Sequence, residues 1–311
     1  PRPSIPHPVY KAAPEASLRP MSLEQSWTCV PPARRHLYPN PACPRRVAEP
    51  LTYAVIAILV FLVSFTFANV GLGGGGLYVP ILLLLYVDND DLVVPISLSL
   101  AAATAISSTL NHWRKGFVDV RIGRYLVAGA LVGAVLGTTF TIDFLKTSLD
   151  FKKFFAALLF FLACALLYDW SRGRKVDADA PSKATPRHLA GASVATAASG
   201  FISGSAGVGG GVFNVPIITY ILGRRTRTAI GTSSLLIIPT AIFGVLIFVA
   251  RRGVPSELSI IPILAPLALV GAYVGSRWGL EALRARSVAL LFIGVVFLAD
   301  ALVVLDVLGV L

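Results

Sequence analysis

The sequence predicts an all-α integral membrane protein made of two homologous, inverted repeats of about five transmembrane segments each, both interrupted by a glycine-broken half-helix. Three observations predict it. Of the 311 residues, 55% are hydrophobic and only 14% charged, too apolar a composition for an ordinary soluble domain. The apolar residues fall into runs, several of them about twenty residues long, which is what a helix needs to cross a bilayer. And an unusual motif occurs twice, "GLGGGGLYVPIL" from Gly71 lying over "GVGGGVFNVPII" from Gly207 at an offset of 136.

Taken in order, residues 1–50 are proline-rich and basic, the composition of a disordered tail. The chain begins with Pro1 and its single methionine is Met21, so part of this tail is expected not to belong to the mature protein. The first apolar run, 51–70, comes too late and is too long for a secretory leader. Runs at 77–87, 92–112, 122–142 and 153–168 complete a first repeat, 51–169. A charged linker, 170–188, then leads to a second repeat, 189–311, with runs at 189–205, 212–222, 229–250, 258–276 and 287–309. The runs at 77–87 and 212–222 are half the spanning length, and each follows a glycine cluster. Two further blocks keep the order: "RKG" ending at Gly116 lies over "RRG" ending at Gly253, and "VGAVLG" from Val132 over "VGAYVG" from Val270.

The net charge of +11 does not indicate a nucleic-acid partner. Its Lys and Arg sit in short clusters between the apolar runs, the pattern that sets topology, and not along one face. With the N-terminus outside and five crossings per half, fifteen of the 27 fall in inside loops, the linker among them. "DNDD" (88–91) follows the first short helix where "RRTR" (224–227) follows the second; opposite charge at equivalent places points to opposite sides of the membrane. The expected location is the cell membrane, as a multi-pass protein. Cys29, Cys43 and Cys164 have neither metal-ligand spacing nor a disulfide pattern, so no metal or cofactor is expected.

Gly71, Gly73 and Gly76 formally spell GxGxxG, but that fingerprint requires a preceding strand, and Val212 replaces the last glycine in the second copy. No Lys-Ser or Lys-Thr follows either cluster, which excludes a P-loop. For "VGAVLG" and "VGAYVG", close helix packing is the preferred reading. Three consecutive glycines exceed what packing needs. Followed by Pro80 or Pro216, each cluster reads as unwound backbone entering a half-helix with an early proline. Such a terminus offers free N–H groups and the positive end of the helix dipole, and its preferred guest is an anion. The candidate substrate site is therefore Gly71, Gly73, Gly74, Gly75 and Pro80 with Gly207, Gly209, Gly210, Gly211, Asn214 and Pro216.

Small polar positions follow both half-helices. Matching Ile96 to Ile230 places Ser99 on Ser233, which makes Ser99, Thr232 and Ser233 neutral donors to an oxyanion; the competing reading is hydroxyls bonded back to their own helices. His112, near a helix end, is either a titrating group or an interfacial residue. Asp300 lies in an apolar run, where an ionisable residue is a candidate for proton coupling or for a structural hydrogen bond within the bundle.

The doubled glycine-rich and Val-Pro motif, the "GTSS" stretch from Gly231, and "RKGFVD" (114–119) resemble the TauE/SafE family of sulfite and organosulfur-anion exporters. The resemblance covers 51–309. It implies a two-repeat permease for sulfite or a small sulfonate such as sulfoacetate, working in the bilayer without a nucleic-acid partner; it says nothing of oligomeric state. "PISLS" (95–99) departs from the Gly-Thr-Ser form of the second half. An anion channel of the same architecture is the alternative, needing no coupling residue. An intramembrane enzyme is disfavoured: the sequence has no HExxH, no GxSxG and no paired carboxylates in its helices.

Overall fold

Helices account for every regular element among the described residues, which in this computed structural model are 50–86, 92–145, 148–171, 185–254, 256–282, 294 and 296–305. The tail, the "DNDD" loop and most of the charged linker lie outside them. In chain order the helices are α1 (Pro50–Phe67), α2 (Gly75–Leu85), α3 (Val93–Arg114), α4 (Val120–Phe144) and α5 (Ser148–Ser171). They continue as α6 (Pro186–Ala206), α7 (Gly211–Pro216), α8 (Thr226–Arg252), α9 (Ile261–Ala282) and α10 (Val296–Leu305). Four stretches are long and apolar enough to cross a membrane: Val93–Arg114, Val120–Phe144, Thr226–Arg252 and Leu258–Arg277. Leu51–Phe67, Gly75–Leu85, Gly211–Ile221 and Val296–Leu305 are apolar but shorter. α5 and α6 have the length, yet α5 opens with Asp150, Lys152 and Lys153, and α6 carries Ser193, Thr196, Ser199, Ser203 and Ser205.

The starts of the short helices follow from their glycines. Gly74 and Gly210 precede α2 and α7 in the left-handed region, and the next glycine of each cluster is already helical. Both helices therefore begin earlier than an early proline implies. Pro80 and Pro216 stand at the sixth position, beyond the first turn, which corrects the sequence expectation. A proline there removes a helical hydrogen bond. Directly after Pro216 the chain winds into a π-helical turn, Ile217–Ile221, the kind of irregularity such a loss produces.

The glycines of "VGAVLG" and "VGAYVG" pack helices backbone to backbone. A methyl group at Gly133 would strike the Ala197 carbonyl, and one at Gly137 the Phe201 carbonyl, so α4 and α6 lie in direct contact and run parallel. The same contact recurs between α9 and α1, where Gly271 abuts the Phe61 carbonyl and Gly275 the Phe65 carbonyl. α3 and α8 pack antiparallel, with His112 beside Gly231, Ser108 Oγ 3.2 Å from Ser234 Oγ, and Leu98 beside Gly244. α3 is buried over most of its surface, whereas Phe144, Phe161, Val194 and Ile263 stand more than half exposed. Apolar side chains of that size pointing outward from several helices make a surface suited to lipid.

Candidate functional site

The two glycine clusters meet. Gly71, Gly73 and Gly74 have φ of 71°, 73° and 76°, and Gly207, Gly209 and Gly210, each 136 residues later, have 73°, 81° and 69°. Only glycine adopts these angles freely, and the same three-step pattern twice gives both segments one shape. Each cluster lies on the other's backbone: a Cβ at Gly75 would come within 2.5 Å of the Gly207 carbonyl oxygen, and one at Gly211 within 2.5 Å of the Gly71 carbonyl oxygen. The N–H groups of Gly75, Gly76, Gly211 and Val212 donate to no carbonyl or side chain among the described residues.

Two serines pin the crossing. Ser97 Oγ donates to the Gly207 carbonyl at 2.8 Å and lies 3.4 Å from that of Gly75. Ser233 Oγ donates to the Gly71 carbonyl at 2.9 Å and lies 3.4 Å from that of Gly211. Both serines are fully buried. The structural partner of Ser233 is thus Ser97, not Ser99. Ser99 bonds back to the Pro95 carbonyl at 2.8 Å, the pattern expected of a hydroxyl satisfied on its own helix. Extending the offset of 136 from the glycines would have found Ser97; anchoring on Ile96 and Ile230 shifted the register by two.

Thr232, also buried, accepts a hydrogen bond from the Asp119 N–H at 3.0 Å. Asp119 caps α4 by accepting from Ile122 N at 3.1 Å, and its other oxygen pairs with Arg224 at 2.9 Å. Arg227 stacks over the Phe117 ring, 5.6 Å from its centre. The α3–α4 loop is thereby fastened to the start of α8. Nothing in the sequence paired Asp119 with Arg224, because the two are joined only by the antiparallel packing of α3 and α8.

Asn214, 3% exposed, stands on α7, and its side-chain oxygen has no partner among the described residues. His112 is buried in α3, its Nε2 3.3 Å from the Ala68 carbonyl and its Nδ1 without a partner among the described residues. Asp300 is 7% exposed on α10, and its Oδ1 has no partner among the described residues. His112 lies at the level where α1 ends and beside Gly231 of α8. No group of His, Cys, Asp and Glu among the described residues has the arrangement of a metal site. A cavity of about 350 Å³ lies elsewhere, in an outward groove between α4 and α8 lined by Trp113, Gly123, Arg124 and Pro239 among others.

Residues 56–301 match the family described as Sulfite exporter TauE/SafE. The chain belongs to that family. It is 26% identical over 228 residues to the Probable membrane transporter protein YdhB of Bacillus subtilis (strain 168), covering 72% of this chain and 89% of the relative. It is 27% identical over 125 residues to the Probable membrane transporter protein YunE of the same organism, covering 39% and 45%. No solved structure matches the chain. The TauE/SafE membership and the apolar helices make this a membrane transporter protein.

Proposed function

We propose that the protein is a multi-pass transporter of the cell membrane that moves a small anion, sulfite or a small organosulfonate such as sulfoacetate, coupled to protons. The observation that carries the proposal is the reciprocal crossing of the glycine clusters. Irregular backbone at membrane depth persists only where protein encloses it or a cavity adjoins it, and helix N-termini with unmet N–H groups suit anionic guests. Because Gly75 and Gly211 rest on opposing backbone, the centre is closed in this conformation. A closed centre favours alternating access over a standing pore.

Residues 51–169 and 189–311 form the two repeats in this reading, and their inversion has specific support. α3 and α8 occupy equivalent places and lie antiparallel, His112 beside Gly231 and Leu98 beside Gly244. Two equivalent antiparallel helices are related by an axis perpendicular to both, which for spanning helices lies in the membrane plane. Uptake of labelled sulfite and sulfoacetate into proteoliposomes, with and without a pH gradient, tests the function. Saturable flux that follows the gradient is expected; no flux of either anion would remove the substrate assignment.

A further inference from the structure

The two halves of the crossing carry different side chains at matching places. In the first half, Tyr78 is fully buried with its ring over Gly74, where an added Cβ would meet ring Cζ at 2.8 Å, and its hydroxyl lies 2.8 Å from Thr104 Oγ1. Phe67 is buried at the end of α1. Adding 136 to each number gives Asn214 for Tyr78 and Ser203 for Phe67. Two aromatic rings in one half thus become two small polar side chains in the other. Ser203 Oγ, on a residue with no exposure, and Asn214 Oδ1 both lack a partner among the described residues, although most polar groups so buried find one. Both residues border Gly210: an added Cβ there would sit 3.3 Å from Ser203 Cβ, and Asn214 N–H donates to the Gly210 carbonyl at 3.2 Å. Thr240, which stands where Thr104 does in the first half, has no tyrosine to meet and bonds back to the Leu236 and Ile237 carbonyls.

We infer that the substrate site is one-sided: Ser203 and Asn214 beside Gly210 hydrogen-bond a small oxyanion that also carries a donor, while Tyr78 and Phe67 plug the matching place in the first half. This rests on the anion-transport reading above and deepens it. A serine hydroxyl can donate to a sulfonate or sulfite oxygen, and a carboxamide oxygen can accept from an O–H or N–H on the same guest. A site that leaves such groups unpaired when the guest lacks its donor discriminates strongly against that guest. Hydroxyl- or amino-bearing sulfonates and hydrogen sulfite fit; a sulfonate without an O–H or N–H, sulfoacetate at neutral pH included, does not, so the site narrows the substrate range given above.

The test compares 2-hydroxyethanesulfonate with ethanesulfonate, equal in charge and differing in one hydroxyl, in proteoliposomes of the full chain. The wild type is expected to favour the hydroxylated anion at least tenfold. Asn214→Leu, which keeps the branched shape and removes both polar atoms, should abolish that preference. Asn214→Tyr, which copies the first half, should abolish transport. Tyr78→Phe should leave the preference intact. Wild-type preference retained in a monodisperse Asn214→Leu protein overturns the one-sided site and leaves the transport reading standing. If the wild type moves sulfite but neither of these two anions, the one-sided site is overturned; if it moves none of the three, the transport reading fails, and a second measurement decides the site alone. In a protein with its three cysteines replaced by alanine, Ser203→Cys should react with sulfonatoethyl methanethiosulfonate, a thiol reagent that is itself a small sulfonate. Asn214→Tyr should block that reaction. No reaction at Ser203→Cys, or reaction undiminished by Asn214→Tyr, overturns the proposal.

Discussion

Ser97 and Ser233 hold the same bond in mirror order: Ser97 donates to Gly207 in the second cluster, and Ser233 donates to Gly71 in the first, at 2.8 and 2.9 Å. Each serine therefore fastens the far cluster while its 3.4 Å contact touches the near one, Gly75 for Ser97 and Gly211 for Ser233. An exchange of this kind ties the unwound segments to each other as much as to their own helices.

The clasp predicts equal and coupled losses. Ser97→Ala and Ser233→Ala each leave a buried carbonyl without its donor, a loss of about 1–3 kcal/mol. The double variant should depart from the sum of the singles, because both bonds brace one crossing. Thermal melting of the detergent-purified proteins measures this. Strict additivity would mean that the two hydroxyls act independently.

A second prediction separates backbone strain from collision. Gly116 has φ of 73° with nothing near its missing side chain, so Gly116→Ala should cost only the strain of the left-handed region, roughly 1–2 kcal/mol. Gly75 has ordinary helical backbone but faces the Gly207 and Val208 backbone at 2.5 Å. Gly75→Ala should therefore destabilise more than Gly116→Ala, and so should Gly211→Ala. Comparable melting temperatures for Gly75→Ala and Gly116→Ala would contradict the crossing as described.

The Asp119 loop yields an asymmetric expectation. Asp119 both caps α4 and pairs with Arg224, whereas Arg224 loses only a partly exposed ion pair on truncation. Asp119→Ala should cost about 0.5–2 kcal/mol from the cap, and Arg224→Ala at most about 1 kcal/mol. Raising the salt concentration should weaken the wild type toward Arg224→Ala and leave the cap term in place. Equal effects of the two substitutions would assign the whole contribution to the ion pair.

The motif, its repetition and the α-helical membrane character were legible because glycine spacing and apolar runs are local signals. Ser97 was obscured for a different reason: Pro95 and Ile96 replace the Gly-Thr pattern kept at Gly231 and Thr232, so local similarity pulled the match to Ser99. The prolines stand later in their helices than the motif suggests because Gly75, Gly76 and Gly211 enter the helix, which glycine does at a modest penalty when tertiary contact requires a close backbone. Asp119 with Arg224, and Ser203 with Asn214, depend on which helices lie side by side, and no window along the chain contains that.

Topology gives a fourth prediction. If the repeats are inverted, residues 90 and 226, which follow equivalent short helices, face opposite sides. Asp90→Cys and Thr226→Cys, each in a cysteine-free background, should react with an impermeant maleimide from opposite sides of sealed vesicles. Labelling of both from one side would make the repeats parallel, and α3 and α8 could not then both span.

Asp300 supplies the last. It is 7% exposed on α10, a helix whose Val296, Ala299 and Val303 are also buried, and its Oδ1 has no partner among the described residues. An ionisable side chain within an apolar helix of a membrane protein is a candidate carrier of a coupled proton. Asp300→Asn fixes the neutral state without altering shape. If Asp300 carries the coupled proton, the variant should still exchange labelled anion across the membrane at equal pH, yet fail to concentrate it against a gradient. His112→Gln serves as the comparison, since His112, the candidate titrating group on α3, is also buried. Gradient-driven accumulation that survives Asp300→Asn and disappears in His112→Gln would move the coupling role to the α1–α3 contact; survival in both would remove proton coupling through either residue.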